Sequence, residues 1–408
     1  MKAIQLLDTW KITGTDYKEF AAIVEDITQN TIIRQLKTDS LGLYSVIPER
    51  CTPEKIALHA YTAQRALEHL EPARSALNLE TCEKKMMPEE FLKEILQSSR
   101  LLLTVGKNTT YFTSHYLCRD LAARADLGGD AIYTPTEERD AYIMSRYAQK
   151  PMDVHMVIRK GFSENNIPLY KVFALPSYTY QYIRQTFLLD IHKNLQELFG
   201  ASECEFWAID HNLTKIWLSF PEKADDISKV YKLPDTLIPG VLMETSDTGD
   251  CALRVVAAWK KKSSNSRPLI GIFEREHRGK FSESEALKKV DDELAAVYAK
   301  LPERLCELLT IDLPEPDAAI EKAFSMLGTV KAIGKKRTKI LLESLIGELP
   351  PDAKMTGYDL AMLFMDLPTR FIGDERSKEF FEKAAGRLPF LDFEKIAAAT
   401  TSVTLASA

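Results

Sequence analysis

Apolar residues recur along the chain at two spacings, and the change from one to the other divides it into stretches. Over residues 1–150 the spacing is mainly helical. Asp16 is placed to cap a helix through Tyr17-Lys18-Glu19-Phe20-Ala21-Ala22-Ile23-Val24, whose apolar positions fall on one side. Thr52-Pro53-Glu54-Lys55 opens a second helix towards Leu70, with Pro at the first helical position, and Pro88-Glu89-Glu90-Phe91 opens a third. Leu41 to Pro48 reads as a short strand between them.

From about residue 151 the apolar period shortens to that of strands. Val154 to Arg159 pairs with Tyr170 to Leu175 across the polar Ser163-Glu164-Asn165-Asn166, and a helix from about Thr179 to Phe199 follows. Cys204 to Ile209 with Lys215 to Phe220, then Gly240 to Glu244 with Ala252 to Trp259, make two more hairpins, and Pro268 to Phe273 closes the set. After Ser282 the helical spacing returns as one long helix to about Leu309, interrupted near Pro302. Asp312-Leu313-Pro314-Glu315-Pro316 reads as a linker, and helices from Thr356 to Phe371 and from Asp374 to Leu388 come after it. The expected class is α+β: a mostly antiparallel sheet with helices on one face, flanked by helical regions. The expected division is 1–150 mainly helical, 151–281 the α+β core, 282–396 helical with a module at 317–347, and 397–408 a loose tail.

The module is the stretch Ala323 to Leu342. It reads as a helix, a turn through Ala332-Ile333-Gly334, and a helix opening on Lys335-Lys336-Arg337, the layout of a helix-hairpin-helix. In such a turn the backbone itself approaches a phosphate, and the amides of the second helix face the anion. The usual turn is Gly-hydrophobic-Gly, and Ala332 stands at the first glycine. Val330, Ile333, Ile340 and Leu341 are expected to form its apolar seam, with Lys331, Lys335, Lys336, Arg337 and Lys339 around the phosphate and Gly334 in the turn.

Charge adds a second candidate. The formal net charge is −6, which argues against a protein that coats nucleic acid, but the charges are segregated. Between Arg254 and Lys280 eight cations stand against two acids, and between Lys331 and Lys339 five cations stand against none. Within the first patch, Lys260, Lys261, Lys262 and Arg267 crowd a loop beside Trp259, a pattern suited to phosphates and a stacked base, and Arg278 follows beside His277 and Gly279. Tyr178, Tyr180 and Tyr182 are further stacking candidates, and His211 beside Asp210 reads as a turn residue.

The sequence offers little for catalysis. It has no phosphate-binding Gly-x-x-x-x-Gly-Lys-Ser/Thr loop, no Gly-x-Ser-x-Gly elbow and no His-Glu-x-x-His. Its six cysteines lie far apart, and His115-x-x-Cys118 alone approaches a zinc spacing. Asp225-Asp226 and Asp291-Asp292-Glu293 are the acidic sets that a magnesium-dependent nuclease would need. The expectation is no catalytic residue, no cofactor and no bound metal. No apolar run is long enough to cross a bilayer and the first residues lack a secretory pattern, so a cytoplasmic protein is expected.

Between about Asp140 and Gly386 the chain resembles an uncharacterised domain family carried by phages, plasmids and other mobile elements. Four segments carry the resemblance: Val157-Ile158-Arg159; Val172 to Ser177; Ser246-Asp247-Thr248-Gly249-Asp250-Cys251-Ala252-Leu253; and Glu276-His277-Arg278-Gly279. Met355 to Leu360 resembles the start of the family's C-terminal helical part. Members often carry Cys-x-Asn-Gly after the second strand, where this chain has Trp259-Lys260-Lys261-Lys262. The resemblance implies a role in replication, recombination or defence. The first expectation is a non-enzymatic DNA- or RNA-binding protein of a mobile element, such as a recombination or single-strand annealing factor. The alternative is a phage structural, assembly or anti-defence protein. A second copy of the chain, or a phage or host protein, would then be its partner.

Overall fold

A computed structural model of the protein describes residues 1–45, 94, 101–106, 109–128, 136–162, 166, 168–248, 251–263, 267–350, 352–371 and 374–399. The expected helices from Thr52 and Pro88, the turn at 163–165 and the tail beyond 399 lie outside these residues. In chain order the strands are β1 (Lys11–Gly14), β2 (Thr31–Lys37), β3 (Leu41–Ser45), β4 (Leu101–Val105), β5 (Thr109–Thr113), β6 (Asp153–Phe162), β7 (Pro168–Ala174), β8 (Glu203–Asp210), β9 (Thr214–Ser219), β10 (Leu237–Thr245), β11 (Leu253–Lys261), β12 (Leu269–Arg275), β13 (Asp312–Leu313) and β14 (Met355–Thr356). The helices are α1 (Tyr17–Gln29), α2 (Leu117–Arg124), α3 (Glu137–Gln149), α4 (Phe187–Phe199), α5 (Pro221–Tyr231), α6 (Glu283–Leu308), α7 (Pro316–Leu327), α8 (Thr329–Ile333), α9 (Lys335–Gly347), α10 (Gly357–Asp366), α11 (Glu375–Arg387) and α12 (Phe393–Ala397).

The class is α+β, built on two six-stranded sheets. The first has the order β2-β6-β7-β5-β4-β3 and the second β1-β8-β9-β10-β11-β12. Every pairing within them is antiparallel except the parallel contact of β5 with β7. Within 1–150, read as mainly helical, the described residues also hold β1 to β5, which the sequence reading did not separate beyond the strand at Leu41, and both sheets draw strands from either side of residue 150. The physical reason is length. A run such as Leu101-Leu102-Leu103-Thr104-Val105 is buried on both faces and too short for a period to separate strand from helix.

One face of the first sheet, with Met156, Ile158 and Val172, is covered by Leu117 and Leu121 of α2 and by Ile143 and Tyr147 of α3. Its other face, with Leu102, Phe112, Leu169 and Phe173, joins the core of the second sheet. There Trp207, Ile209, Val241 and Trp259 meet α4 and α6. The Tyr298 ring of α6 packs edge-on to Trp259 at 5.4 Å, and its hydroxyl donates to the Gly240 carbonyl at 2.7 Å. Each large side chain buried this way contributes about 1.5–3 kcal/mol. That explains why α6 runs unbroken through Pro302, against the expected interruption. A proline within a helix costs about 3 kcal/mol, and the buried stripe Val290, Leu294, Tyr298, Leu301, Leu305 offsets it. The linker expected at Asp312–Pro316 is also corrected: Asp312 and Leu313 pair with Thr356 and Met355, and Pro316 begins α7. No helix among the described residues is long and apolar enough to cross a membrane.

Asp16 caps α1 as expected, and Ser282, Thr356 and Asp374 likewise each accept a backbone N–H at the start of α6, α10 and α11. The helix expected from Thr179 begins only at Phe187. On α4, His192 lies in the core with a ring nitrogen 2.7 Å from Ser202 Oγ and the Tyr17 ring 4.2 Å away. Burial pushes its pKa down to about 4. Because the unfolded chain takes up this proton first, stability is present above pH ~6.5 and is lost as pH falls towards 4. Urea unfolding at pH 7 and pH 5 should differ by at least about 1 kcal/mol, and His192→Gln should flatten that dependence.

Candidate nucleic-acid interface

The two basic stretches take different forms. In the module, Gly328 ends α7 with φ 70°, the short α8 follows, and Gly334 starts α9 with φ 89°. Ala332 is helical and has no positive φ, so the position where a glycine is usual needs none here, and the positive φ values fall on Gly328 and Gly334. No side chain caps α9, which leaves the amides of its first turn facing outward beside Lys335, Lys336 and Arg337. Among the described residues Lys331, Lys335 and Lys336 are exposed and make no ion pair. Arg337 donates to Asp374 at 2.7 Å, and Lys339 lies 3.7 Å from Glu343, so these two are already engaged.

The expected apolar seam is corrected. Val330 and Ile340 are 52% and 57% exposed, and Ile333 and Leu341 are half-buried. Leu342, Leu345 and Thr338 fill the interface in their place, and the Thr338 hydroxyl donates to the Gly334 carbonyl at 2.9 Å.

The hairpin loop between β11 and β12 divides its cations by strand phase. Lys261 points inward, is buried, and donates to Asp366 at 2.8 Å, so it cannot meet a ligand at the surface. Lys260 points outward but donates to both Glu205 oxygens at 2.8 and 2.7 Å. Arg267 lies over the Trp217 ring, 3.8 Å from its centroid. Lys262 is exposed. Trp259 is fully buried against Tyr298 and cannot stack on a base. Arg278 is exposed but sits at the other end of β12 from Arg267, about 23 Å away along seven residues of strand, so it does not join the loop. Of the tyrosines, Tyr178 is exposed, while Tyr180 is buried and stacked on His277 at 5.1 Å.

A strap ties the loop to the module. Lys261 holds Asp366 at its start, Arg370 holds Glu348 at the end of α9 by two 2.7 Å bonds, and Arg337 holds Asp374. Eight residue steps from 366 to 374 span at most about 29 Å, less than one turn of duplex DNA at about 34 Å.

The chain matches no protein-family model, no curated protein and no solved structure.

No group of three or more His, Cys, Asp or Glu side chains among the described residues is placed to hold a metal. Asp226 on α5 lies 3.9 Å from both Lys223 and Lys229, and Asp291 on α6 accepts from Asn194 at 2.6 and 2.7 Å. Burial pushes the thiols of Cys118, Cys204 and Cys251 up to about 11, so they stay protonated at neutral pH.

Sequence reasoning missed a buried polar cluster between the two sheets. Arg159 of β6 and Lys171 of β7 stand opposite each other on adjacent strands, both fully buried. Like charges so placed repel unless each finds an anion. Lys171 has Asp8 at 2.9 Å, Glu94 at 2.8 Å and the Leu6 carbonyl at 2.8 Å. Burial alone would raise the Asp8 carboxyl, but Lys171 and the His115 N–H outweigh it and hold the carboxyl below its ordinary value. Among the described residues Arg159 donates through Nη2 alone, to Asp247 Oδ1 at 2.5 Å. The available signal was a cation at a buried phase of an apolar strand, in Val157-Ile158-Arg159 and Lys171-Val172-Phe173.

Proposed function

We propose that the chain is a non-enzymatic nucleic-acid-binding protein of a mobile element that grips the phosphate backbone at the start of α9. The observation that carries this reading is the uncapped helix N-terminus at Gly334, flanked by Lys331, Lys335 and Lys336, exposed and without ion pairs among the described residues. Outward amides, the helix dipole and mobile ammonium groups together favour a phosphate. The strap links this site to the loop that carries Lys262 and Arg267, which serve in this reading as a second set of contacts along the same strand. Backbone contacts of this kind carry no sequence information, which suits a recombination or annealing factor acting on many sequences in the cytoplasm.

Fluorescence anisotropy with single-stranded and duplex DNA over a salt series tests this. Binding should weaken steeply with salt. The double variant Lys335→Glu/Lys336→Glu should lower affinity at least about tenfold and reduce the salt slope by roughly 2, one unit per lost phosphate contact. Arg337 is left alone because it anchors Asp374. An unchanged affinity and slope would sink the proposal.

Val330 and Ile340 favour a second reading, in which the same face meets a protein. Self-association of the chain without DNA binding, seen by light scattering, would select it.

A further inference from the structure

We propose that the outer face of the second sheet stacks an unpaired nucleobase on the guanidinium of Arg267, which makes single strands the polymer it holds. The proposal rests on the nucleic-acid reading above and narrows it. Its basis is a tryptophan that lies outside the main core. Along β9, Ile216 and Leu218 face that core, so Trp217 between them points the other way. There it joins Val256, Ala258 and Leu269 in a small separate cluster, with Leu242 packed against them. Strand register accounts for the grouping: Phe206, Trp217, Leu242 and Val256 stand opposite one another across β8 to β11 and share this face.

The indole leans over β10 at Gly240, where a Cβ would come within 3.3 Å of its nitrogen. Trp217 is only 3% exposed, and Arg267 lies over its ring with the guanidinium carbon 3.8 Å from the centroid. At that distance the guanidinium has to lie flat, since turning it on edge would drive a nitrogen into the ring. The layers outward from the sheet are therefore strand, indole and guanidinium. One side of the guanidinium plane rests on the ring and the other faces away from the sheet. Arg267 is half-buried, in keeping with a plane covered on one side.

A plane held in this way suits a flat ring, and bases splayed from a strand stack on arginine as they do on aromatic side chains. Because Trp217 already holds the side chain in place, less ordering remains to be done when a base arrives. The surroundings supply charge for the strand. Lys262 is exposed on the same loop, and the Lys260 ammonium lies 5.8 Å from the Trp217 ring, although Glu205 already balances it. Phe206 is half-buried beside Trp217 in register and offers a second ring to a neighbouring base. Bases within a duplex are covered on both faces by their neighbours, so the platform serves single strands.

The test is fluorescence anisotropy of the full chain with three probes of equal length: oligothymidylate, the same strand without bases, and a duplex. Oligothymidylate should bind about tenfold or more tightly than the abasic strand, which carries the same phosphates and lacks the rings. Arg267→Lys keeps the charge and loses the plane, and Phe206→Leu keeps the apolar contact and loses the ring. Each should reduce that difference while retaining the native circular dichroism, and the comparison of the two strands itself needs no variant. Equal affinity for the two strands, or a difference that survives in both folded variants, would overturn this proposal and leave the phosphate contacts at Lys335 and Lys336 standing. Duplex binding with neither single strand bound would do the same. No binding of any probe would overturn both.

Discussion

Asp247→Ala is expected to lower the unfolding free energy by about 3–5 kcal/mol, which is a large share of the stability of any domain. The substitution removes little volume. Its cost comes from Arg159, a fully buried guanidinium whose only bond among the described residues runs to Asp247. Once that carboxylate is gone, a strand-bound cation is left in the core beside Lys171 with no route to water. Urea unfolding at pH 7 measures the loss. The companion experiment is Arg159→Met/Asp247→Leu, which replaces the pair with apolar groups of similar size and should recover most of the stability. If the double variant is as unstable as Asp247→Ala, packing is the cause and the buried charge is not.

Lys171→Met should produce a loss of similar size, about 3–5 kcal/mol at pH 7, with a dependence on pH that Asp247→Ala lacks. Here the stranded groups are the carboxylates of Asp8 and Glu94, together with the Leu6 carbonyl. In the native chain the Asp8 carboxyl is held below its ordinary value, so its contribution is complete above pH ~4 and disappears as pH falls further. Without Lys171 the same burial raises the Asp8 carboxyl, the folded state takes up a proton before the unfolded one, and the penalty shrinks as pH falls from 7 to 5. Unfolding curves at the two pH values should therefore converge on the native chain's stability. A penalty equal at both would mean that the ammonium acts through packing alone.

Three hairpins, one in the first sheet and two in the second, were legible because they are local. Val154–Arg159 with Tyr170–Leu175, Cys204–Ile209 with Lys215–Phe220, and Gly240–Glu244 with Ala252–Trp259 each place two alternating runs on either side of a turn, and all three pair as read. Helix starts were legible for the same reason, since Asp16, Ser282, Thr356 and Asp374 act on amides two or three residues away. Elements whose identity depends on distant partners were not legible. Lys11–Gly14 is a strand only because β8 lies beside it, and Asp312–Leu313 only because Met355 and Thr356 return to it. Helix α5 escaped notice because its acids and lysines alternate along the exposed face and leave few apolar marks.

The same distinction applies to the candidate sites. The module was visible as a block of cations, but burial decided which of them are free, and strand phase turned Lys261 inward while leaving Lys262 outside. The inter-sheet cluster draws on residues 8, 159, 171, 211 and 247, so no window of sequence contains it.

The pairing of β1 with β8 constrains the order of assembly. Ile12 is registered with Ile209, so the edge strand of the second sheet cannot dock until nearly 200 further residues have left the ribosome. Thr31–Lys37 waits in the same way for Asp153–Phe162. During that interval both strands present unpaired edges, while the β8–β12 meander can close from neighbours alone. Refolding should accordingly show a fast phase from the meander and a slower one as the early strands find their late partners.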